Sequence, residues 1–211
     1  MSADENRWMT DPTAPLPPEI EGLIFDCDGT LLDTMPAHYS AWLAALGPSG
    51  IEFPEKNFYS MAGIPTLKIA EILVSQSNVS VPPAQIAHNK EQAYIEKIPE
   101  IRLIESVVAI VRREQGKRKL AVASGGLRRV VDKQLQAVGL DKIFPVVVCA
   151  DDVQHGKPSP DTFLLAAQLM HVPRENCIVY EDAEPGIQAA HAAEMTCIDV
   201  RQWHQSRAPG H

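Results

Sequence analysis

Hydrophobic and polar positions follow two different rhythms along this chain. Gly22-Leu23-Ile24-Phe25 is a short apolar run that stops at Asp26, the pattern of a strand buried on both faces. From about Pro36 to Pro99 the apolar residues recur at helical spacing instead, over His38 to Leu46, Thr66 to Gln76 and Gln85 to Lys97, with no strand between them. From Leu103 onward helical stretches alternate with the apolar runs Lys119 to Ala123, Val146 to Cys149, Cys177 to Tyr180 and Thr196 to Val200. Such alternation predicts an α/β protein with a doubly wound parallel sheet, interrupted after its first strand by an inserted helical domain.

Local chemistry agrees with this division. Gly139 is placed to end a helix in the left-handed conformation, and Ser159-Pro160-Asp161 reads as a capping Ser followed by Pro at the first helical position. Residues 1–18 carry Pro12, Pro15, Pro17 and Pro18 among polar neighbours, so they are expected to form a flexible leader. The expected organisation is then a core of residues 19–33 and 103–204, a helical insertion over 34–102, and a tail over 205–211. The linkers lie near Asp33 to Pro36 and Pro99 to Leu103.

Composition narrows the function classes. A formal charge of -8 disfavours attachment to nucleic acid, and the basic run Arg112 to Lys119 is read as a solvated helix end. Cys27, Cys149, Cys177 and Cys197 lie in or beside apolar runs without a CxxC pair, as expected for buried free thiols in a reducing compartment. The N-terminal residues lack a signal-peptide core and no apolar stretch is long enough to cross a bilayer, so the expected setting is the cytoplasm, without a membrane partner. A monomer or weak homo-oligomer is expected.

The candidate chemistry sits where the apolar runs end. Asp26-Cys27-Asp28-Gly29-Thr30 puts two carboxylates after one run, and Glu181-Asp182 puts two more after another, at the edge where open parallel sheets bind ligands. Four converging acids call for a cation, and carboxylate oxygens suit Mg²⁺. A solvated acidic loop is the plainer reading, but it accounts poorly for two such endings in one sheet. Ser124, with Gly125 and Gly126, ends a third run and can present a hydroxyl and backbone N–H groups to phosphate oxygens. Lys157 follows a fourth, as a cation for phosphate and nucleophile. Together these groups describe a phosphoryl-transfer site with a carboxylate nucleophile.

These motifs, with Gly156-Lys157-Pro158-Ser159-Pro160-Asp161, resemble in kind and order the haloacid dehalogenase superfamily over nearly the whole chain after the leader. Asp161-Thr162-Phe163-Leu164-Leu165 and Gly186-Ile187-Gln188-Ala189-Ala190 carry a closer similarity to its beta-phosphoglucomutase-like branch, especially the phosphatases acting on fructose 1-phosphate and 6-phosphogluconate. The resemblance implies a Rossmann-like core with a helical cap and a phosphoric monoester hydrolase. In it Asp26 is the nucleophile, Asp28 the acid and base, and Ser124 and Lys157 hold the phosphate. It also implies Mg²⁺ on the Asp26 side chain, the Asp28 backbone carbonyl and Asp182, with Glu181 either direct or through water. Thr34, His38, Trp42 and Lys90 match positions that gate or touch substrate, with Gly125 beside the phosphate.

Two departures are visible. Thr66 stands where the mutases place an Arg for a second phosphate, which favours a phosphatase over a sugar-phosphate mutase. Glu194 stands where the family usually has Gly. A non-catalytic sugar-phosphate binder is the alternative from another class, and the pairing of Asp26 with Asp28 argues against it.

Overall fold

The structure is a computed structural model that describes residues 6–61 and 64–204. The chain divides into two compact units, with the division falling between Asp33 and Thr34 and again between Ile101 and Arg102.

The first unit is built on a parallel sheet. Its strands are β1 (Gly22–Phe25), β4 (Lys119–Ala123), β5 (Val146–Val148), β6 (Cys177–Glu181) and β7 (Thr196–Asp199), in the spatial order β5-β4-β1-β6-β7. The chain moves outward from β1 to one side and then returns to the other, so a topological switch point falls at the centre, where such sheets hold ligands. Leu23, Ile24 and Phe25 are fully buried, which is why β1 reads as an unbroken apolar run. Phe25 stacks on Tyr180 of β6 at 4.7 Å between ring centres. The connections are α5 (Glu105–Glu114), α6 (Arg128–Ala137), α7 (Asp161–Met170) and α8 (Glu184–Ala192). Ala166, Ala167 and Met170 of α7 and Ala189, Ala190 and Ala193 at α8 share one core cluster with Ile24, Ala121 and Val179.

Where the chain leaves this unit, β2 (Leu32–Asp33) pairs antiparallel with β3 (Arg102–Leu103), where it returns. The second unit holds α1 (Met35–Leu46), α2 (Glu55–Ser60), α3 (Thr66–Ser75) and α4 (Pro83–Lys97). Its own core contains Trp42, Leu46, Phe53, Phe58, Ile69, Leu73 and Ile86.

Three expectations are corrected here. Residues 6–18 are not a free leader. Ala14 and Leu16 are buried, the Arg113 guanidinium donates to the Pro12 carbonyl (2.7 Å), and Trp203 Nε1 donates to the Thr10 carbonyl (2.9 Å). The basic run is a solvated helix end only in part: Arg112, Lys117 and Lys119 are exposed, but Arg113 and Arg118 are not free in solvent. Arg118 donates to the carbonyls of Leu16 and Pro17, each at 3.2 Å, and of Ile20, while Arg113 and Arg118 both pair with the buried Glu114. Arg113 and Arg118 thus clamp the proline-rich segment, whose lack of N–H donors leaves its carbonyls to be satisfied from elsewhere. Finally, Ser159 does not cap α7. Pro160 is the residue before the helix, and the Ser159 hydroxyl donates instead to Asp161 Oδ1 (2.7 Å). The first five residues of the leader and the tail over 205–211 lie outside the described residues.

Candidate active site

Strand register brings the acids together. Phe25 lies opposite Val122 of β4 and Tyr180 of β6, so Asp26 and Glu181, one residue further on, emerge side by side. The Asp26 amide donates to the Tyr180 carbonyl (3.0 Å), extending the ladder past the strand. The chain then turns at Gly29, whose φ of 89° is in the left-handed region and whose amide donates to the Leu32 carbonyl (2.8 Å). A Cβ there would lie 2.1 Å from Asp182 Oδ2, so the glycine is required both by the turn and by the carboxylate against it. Thr30 donates from Oγ1 to Asp182 Oδ1 (2.9 Å) and fixes that carboxylate.

Oxygens of Asp26, Glu181 and Asp182 lie within 4.8 Å of one another. Lys157 reaches them from the loop after β5, with Nζ 2.6 Å from Asp26 Oδ1 and 3.1 Å from Glu181 Oε2. Gly186 in α8 makes room for Glu181, because a Cβ there would lie 2.2 Å from its carboxyl carbon. Glu181 Oε1 also accepts from the Ala183 amide (3.0 Å).

Burial dominates the electrostatics. It raises Asp26 above the ordinary carboxylate range against the pull of Lys157. Burial and the Asp26 charge push Glu181 up to about 8 and Asp182 up to about 7. Burial alone would lower Lys157, but the charges of Asp26 and Glu181 outweigh it and hold the ammonium firmly protonated. Without a metal these crowded acids hold on to protons that a cation can replace, and such a set of hard oxygen donors fits a divalent cation such as Mg²⁺.

The expected convergence of four acids becomes three plus one. The side chain of Asp28 stands apart from that group, with Oδ1 accepting from Gln134 Nε2 (2.7 Å). Ser124 is buried, and its Oγ accepts from the Gly126 amide (3.0 Å), an arrangement in which the hydroxyl proton can still be donated. Of the two glycines after it, Gly125 is exposed with open space where a Cβ would be. Gly126 is the hemmed one, with a Cβ there 3.0 Å from Val131 Cγ2 and 3.7 Å from Asp28 Oδ2.

The substrate candidates of the helical unit divide. Trp42 is 2% exposed and meets Phe53 edge to face at 5.7 Å, so it packs in the core of the helical unit. His38 stacks on Tyr94 at 3.8 Å between ring centres. Lys90 is 3% exposed, with Nζ 3.2 Å from Glu91 Oε1 and 5.1 Å from the centre of the Tyr94 ring. Thr66 donates to the same Glu91 oxygen (3.1 Å). Thr34 precedes α1 without capping it, and its Oγ1 is buried without a hydrogen-bond partner among the described residues.

Sequence reasoning missed Gln134 and Glu91, and it named Gly126 and Gly186 within motifs without the close approaches that hem them in. Gln134 had a visible mark: it shares the buried face of α6 with Val130, Val131 and Leu135, where an amide needs a partner.

A model of the haloacid dehalogenase-like hydrolases matches residues 20–194. The chain belongs to this family. Membership makes it a hydrolase, in line with the phosphoric monoester hydrolase read from the sequence. Among curated haloacid dehalogenase relatives, fructose-1-phosphate phosphatase YqaB of Escherichia coli (strain K12) is 40% identical over 180 residues, covering 85% of this chain and 96% of the relative. Among solved structures, CbbY from Rhodobacter sphaeroides in complex with phosphate matches with a TM-score of 0.74 and 25% identity, over 84% of each chain. Beta-phosphoglucomutase from Clostridium difficile matches with a TM-score of 0.71 and 26% identity, over 84% of this chain and 83% of that one. Among the described residues no helix is long and apolar enough to cross a membrane.

Proposed function

We propose that this protein is a Mg²⁺-dependent phosphatase of small sugar monophosphates that works through an aspartyl-phosphate on Asp26. The observation that carries the reading is the contact of Lys157 Nζ with Asp26 Oδ1 at 2.6 Å. It places a fixed cation on a buried carboxylate that is otherwise surrounded by negative charge, the condition under which that carboxylate can meet an anionic phosphate.

In this reading Asp26 attacks phosphorus, Asp28 gives a proton to the departing sugar oxygen, and Ser124 and Lys157 hold the phosphoryl oxygens, with Gly125 beside them. Water then displaces Asp26, and Asp28 takes the proton. The Asp26, Asp182 and Glu181 side chains with the Asp28 carbonyl would hold Mg²⁺, which when bound neutralises charge on the transferring phosphate. The helical unit supplies the sugar contacts, with His38, Lys90 and Thr34 as its candidates. Hydrolysis is favoured over mutase chemistry because position 66 offers a hydroxyl already committed to Glu91, not a cation for a second phosphate.

A panel of phosphorylated sugars and sugar acids, scored by released phosphate with and without Mg²⁺, tests this. Expected are release from fructose 1-phosphate or a close analogue, silence in excess chelator and recovery on adding Mg²⁺. Asp26→Asn is expected to fold and to lose turnover by at least about a thousandfold. Full activity in chelator, or in purified Asp26→Asn, overturns the reading. Conversion of one sugar-phosphate isomer into another without phosphate release would support the mutase alternative.

A further inference from the structure

We propose that Gln134 is a positioning residue for the proton transfers of this site, holding Asp28 by one carboxyl oxygen so that the other handles the proton. The inference rests on the proposed role of Asp28 as acid and base.

Gln134 lies in α6 and is fully buried. Its Nε2 donates to Asp28 Oδ1 at 2.7 Å, while its Oε1 lies 3.7 Å from Cys27 Sγ, within reach of a thiol donor. Cys27 fixes which way the amide faces. Its thiol offers an S–H to Oε1, and sulfur is only a weak acceptor for the Nε2 end. Nε2 is then the end left for Asp28. A flipped amide would set Oε1 against a carboxylate oxygen and Nε2 against the thiol, losing both hydrogen bonds.

The consequence for Asp28 is a division of labour between its oxygens. Oδ1 receives an N–H from Gln134, which disfavours a proton on that oxygen. Oδ2 lies toward Gly126 of the Ser124-Gly125-Gly126 turn, 3.7 Å from where a Cβ on that glycine would stand. That turn is where the phosphate is proposed to bind. In the first step the Asp26 oxygen bonds to phosphorus as the bond from phosphorus to the sugar oxygen breaks, and the Oδ2 proton passes to that oxygen. In the second, water bonds to phosphorus as the Asp26 ester bond breaks, and Oδ2 takes the water proton. A side chain that leans on Asp28 without touching substrate thus sets the rate of both steps.

The test is Gln134→Met, which keeps the length and removes both hydrogen bonds, measured on the Mg²⁺-loaded full-length protein. The sugar phosphate turned over best by the unmodified protein is compared with p-nitrophenyl phosphate, whose leaving group departs without a proton. With the sugar phosphate, kcat is expected to fall about ten- to hundredfold with KM within about twofold. With the aryl ester, the first-turnover burst of nitrophenol is expected to stay within about threefold while the steady state slows, because water attack still needs the base. An unchanged kcat on the sugar phosphate overturns the proposal, as does a burst slowed as much as sugar-phosphate turnover. If Gln134→Met fails to fold, Gln134→Asn, too short to span the gap, is judged by the same outcomes. Asp28→Asn separates the two levels. If it leaves sugar-phosphate turnover intact, the role of Asp28 itself is wrong. If it abolishes turnover while Gln134→Met does not, only the positioning role falls.

Discussion

At the scale of single residues, the site is held open by atoms that are missing. Gly29 and Gly186 each face a carboxylate so closely that a methyl group would overlap it, at 2.1 Å from Asp182 Oδ2 and 2.2 Å from the Glu181 carboxyl carbon. Neither overlap can be relieved by a flexible side-chain end swinging into solvent, because both carboxylates are held by partners, Thr30 on one and Lys157 and Ala183 on the other. Gly29→Ala adds the cost of a left-handed φ, about 1–2 kcal/mol for a residue with a Cβ. Both Gly29→Ala and Gly186→Ala are expected to lower phosphatase activity by at least about a hundredfold, through displaced carboxylates. Gly125→Ala has open space and is expected to stay within about fivefold. Phosphate release by the three purified variants, with melting curves alongside, checks the contrast.

At the scale of elements, the end of α8 and the middle of α4 each hold a glutamate that propensity alone does not explain. After α8 the chain takes a left-handed turn at Glu194, φ 57°, where glycine would be unstrained. Glu194 pairs with Arg174, but both side chains are largely exposed, so the pair offsets little of that strain. Glu194→Gly is expected to raise stability by about 0.5–1 kcal/mol in urea titration, with activity unchanged. In α4, Glu91 balances the buried charge of Lys90 and ties Thr66 to it. Glu91→Gln keeps an acceptor for Thr66 and removes the countercharge. On the reading that Lys90 faces the sugar, the ratio of kcat/KM for 6-phosphogluconate over fructose 1-phosphate should rise about tenfold, since an unbalanced ammonium favours a second anion. An unchanged ratio would separate Lys90 from substrate choice.

The same elements show what the chain reveals without its structure. The termini of β1 and β4 are readable because both faces are buried, so Phe25 and Ala123 are the last apolar residues before the polar site begins. Asp26, Glu181, Asp182 and Lys157 were legible for the same reason: strand ends in a parallel sheet share an edge, and polar residues there stand out against apolar runs. Trp42 was not, because a core tryptophan and one lining a ligand leave the same apolar mark at helical spacing. The partnerships of Gln134 with Asp28 and of Glu91 with Thr66 were hidden because they join residues distant in sequence, and hydrogen bonds of that kind have no periodicity. The proline-rich segment misled by composition. Its carbonyls find donors in Arg113 and Arg118, which are contributed by α5 and the turn after it about a hundred residues away.

For the molecule as a whole, the buried acids couple folding to pH and to metal. In the metal-free protein Glu181 and Asp182 are raised to about 8 and about 7, and Asp26 is raised as well. A carboxyl group whose folded pKa exceeds its unfolded one binds protons more tightly when folded. Its contribution is therefore fully present below the unfolded value, near 4, and is lost as pH rises through the folded value. Groups shifted the other way do not interfere. Asp152, Asp161 and Asp199 are lowered, so their contributions are constant above about pH 5. Lys157 is raised, so its contribution is constant well past pH 8. Metal-free protein should accordingly lose stability between pH 6 and pH 8, by about 1–2 kcal/mol or about 3–8 °C in Tm. Mg²⁺ opposes this, because it binds the folded carboxylates and takes the place of their protons; at about a hundred times its Kd it adds about 2.7 kcal/mol. The Tm increment from Mg²⁺ is thus expected to be larger at pH 8 than at pH 6. Melting curves at both pH values, in chelator and in Mg²⁺, measure all four corners of this cycle. An increment that is equal at the two pH values would mean that the cation does not compete for the protons of Asp26, Glu181 and Asp182, and would place metal binding elsewhere.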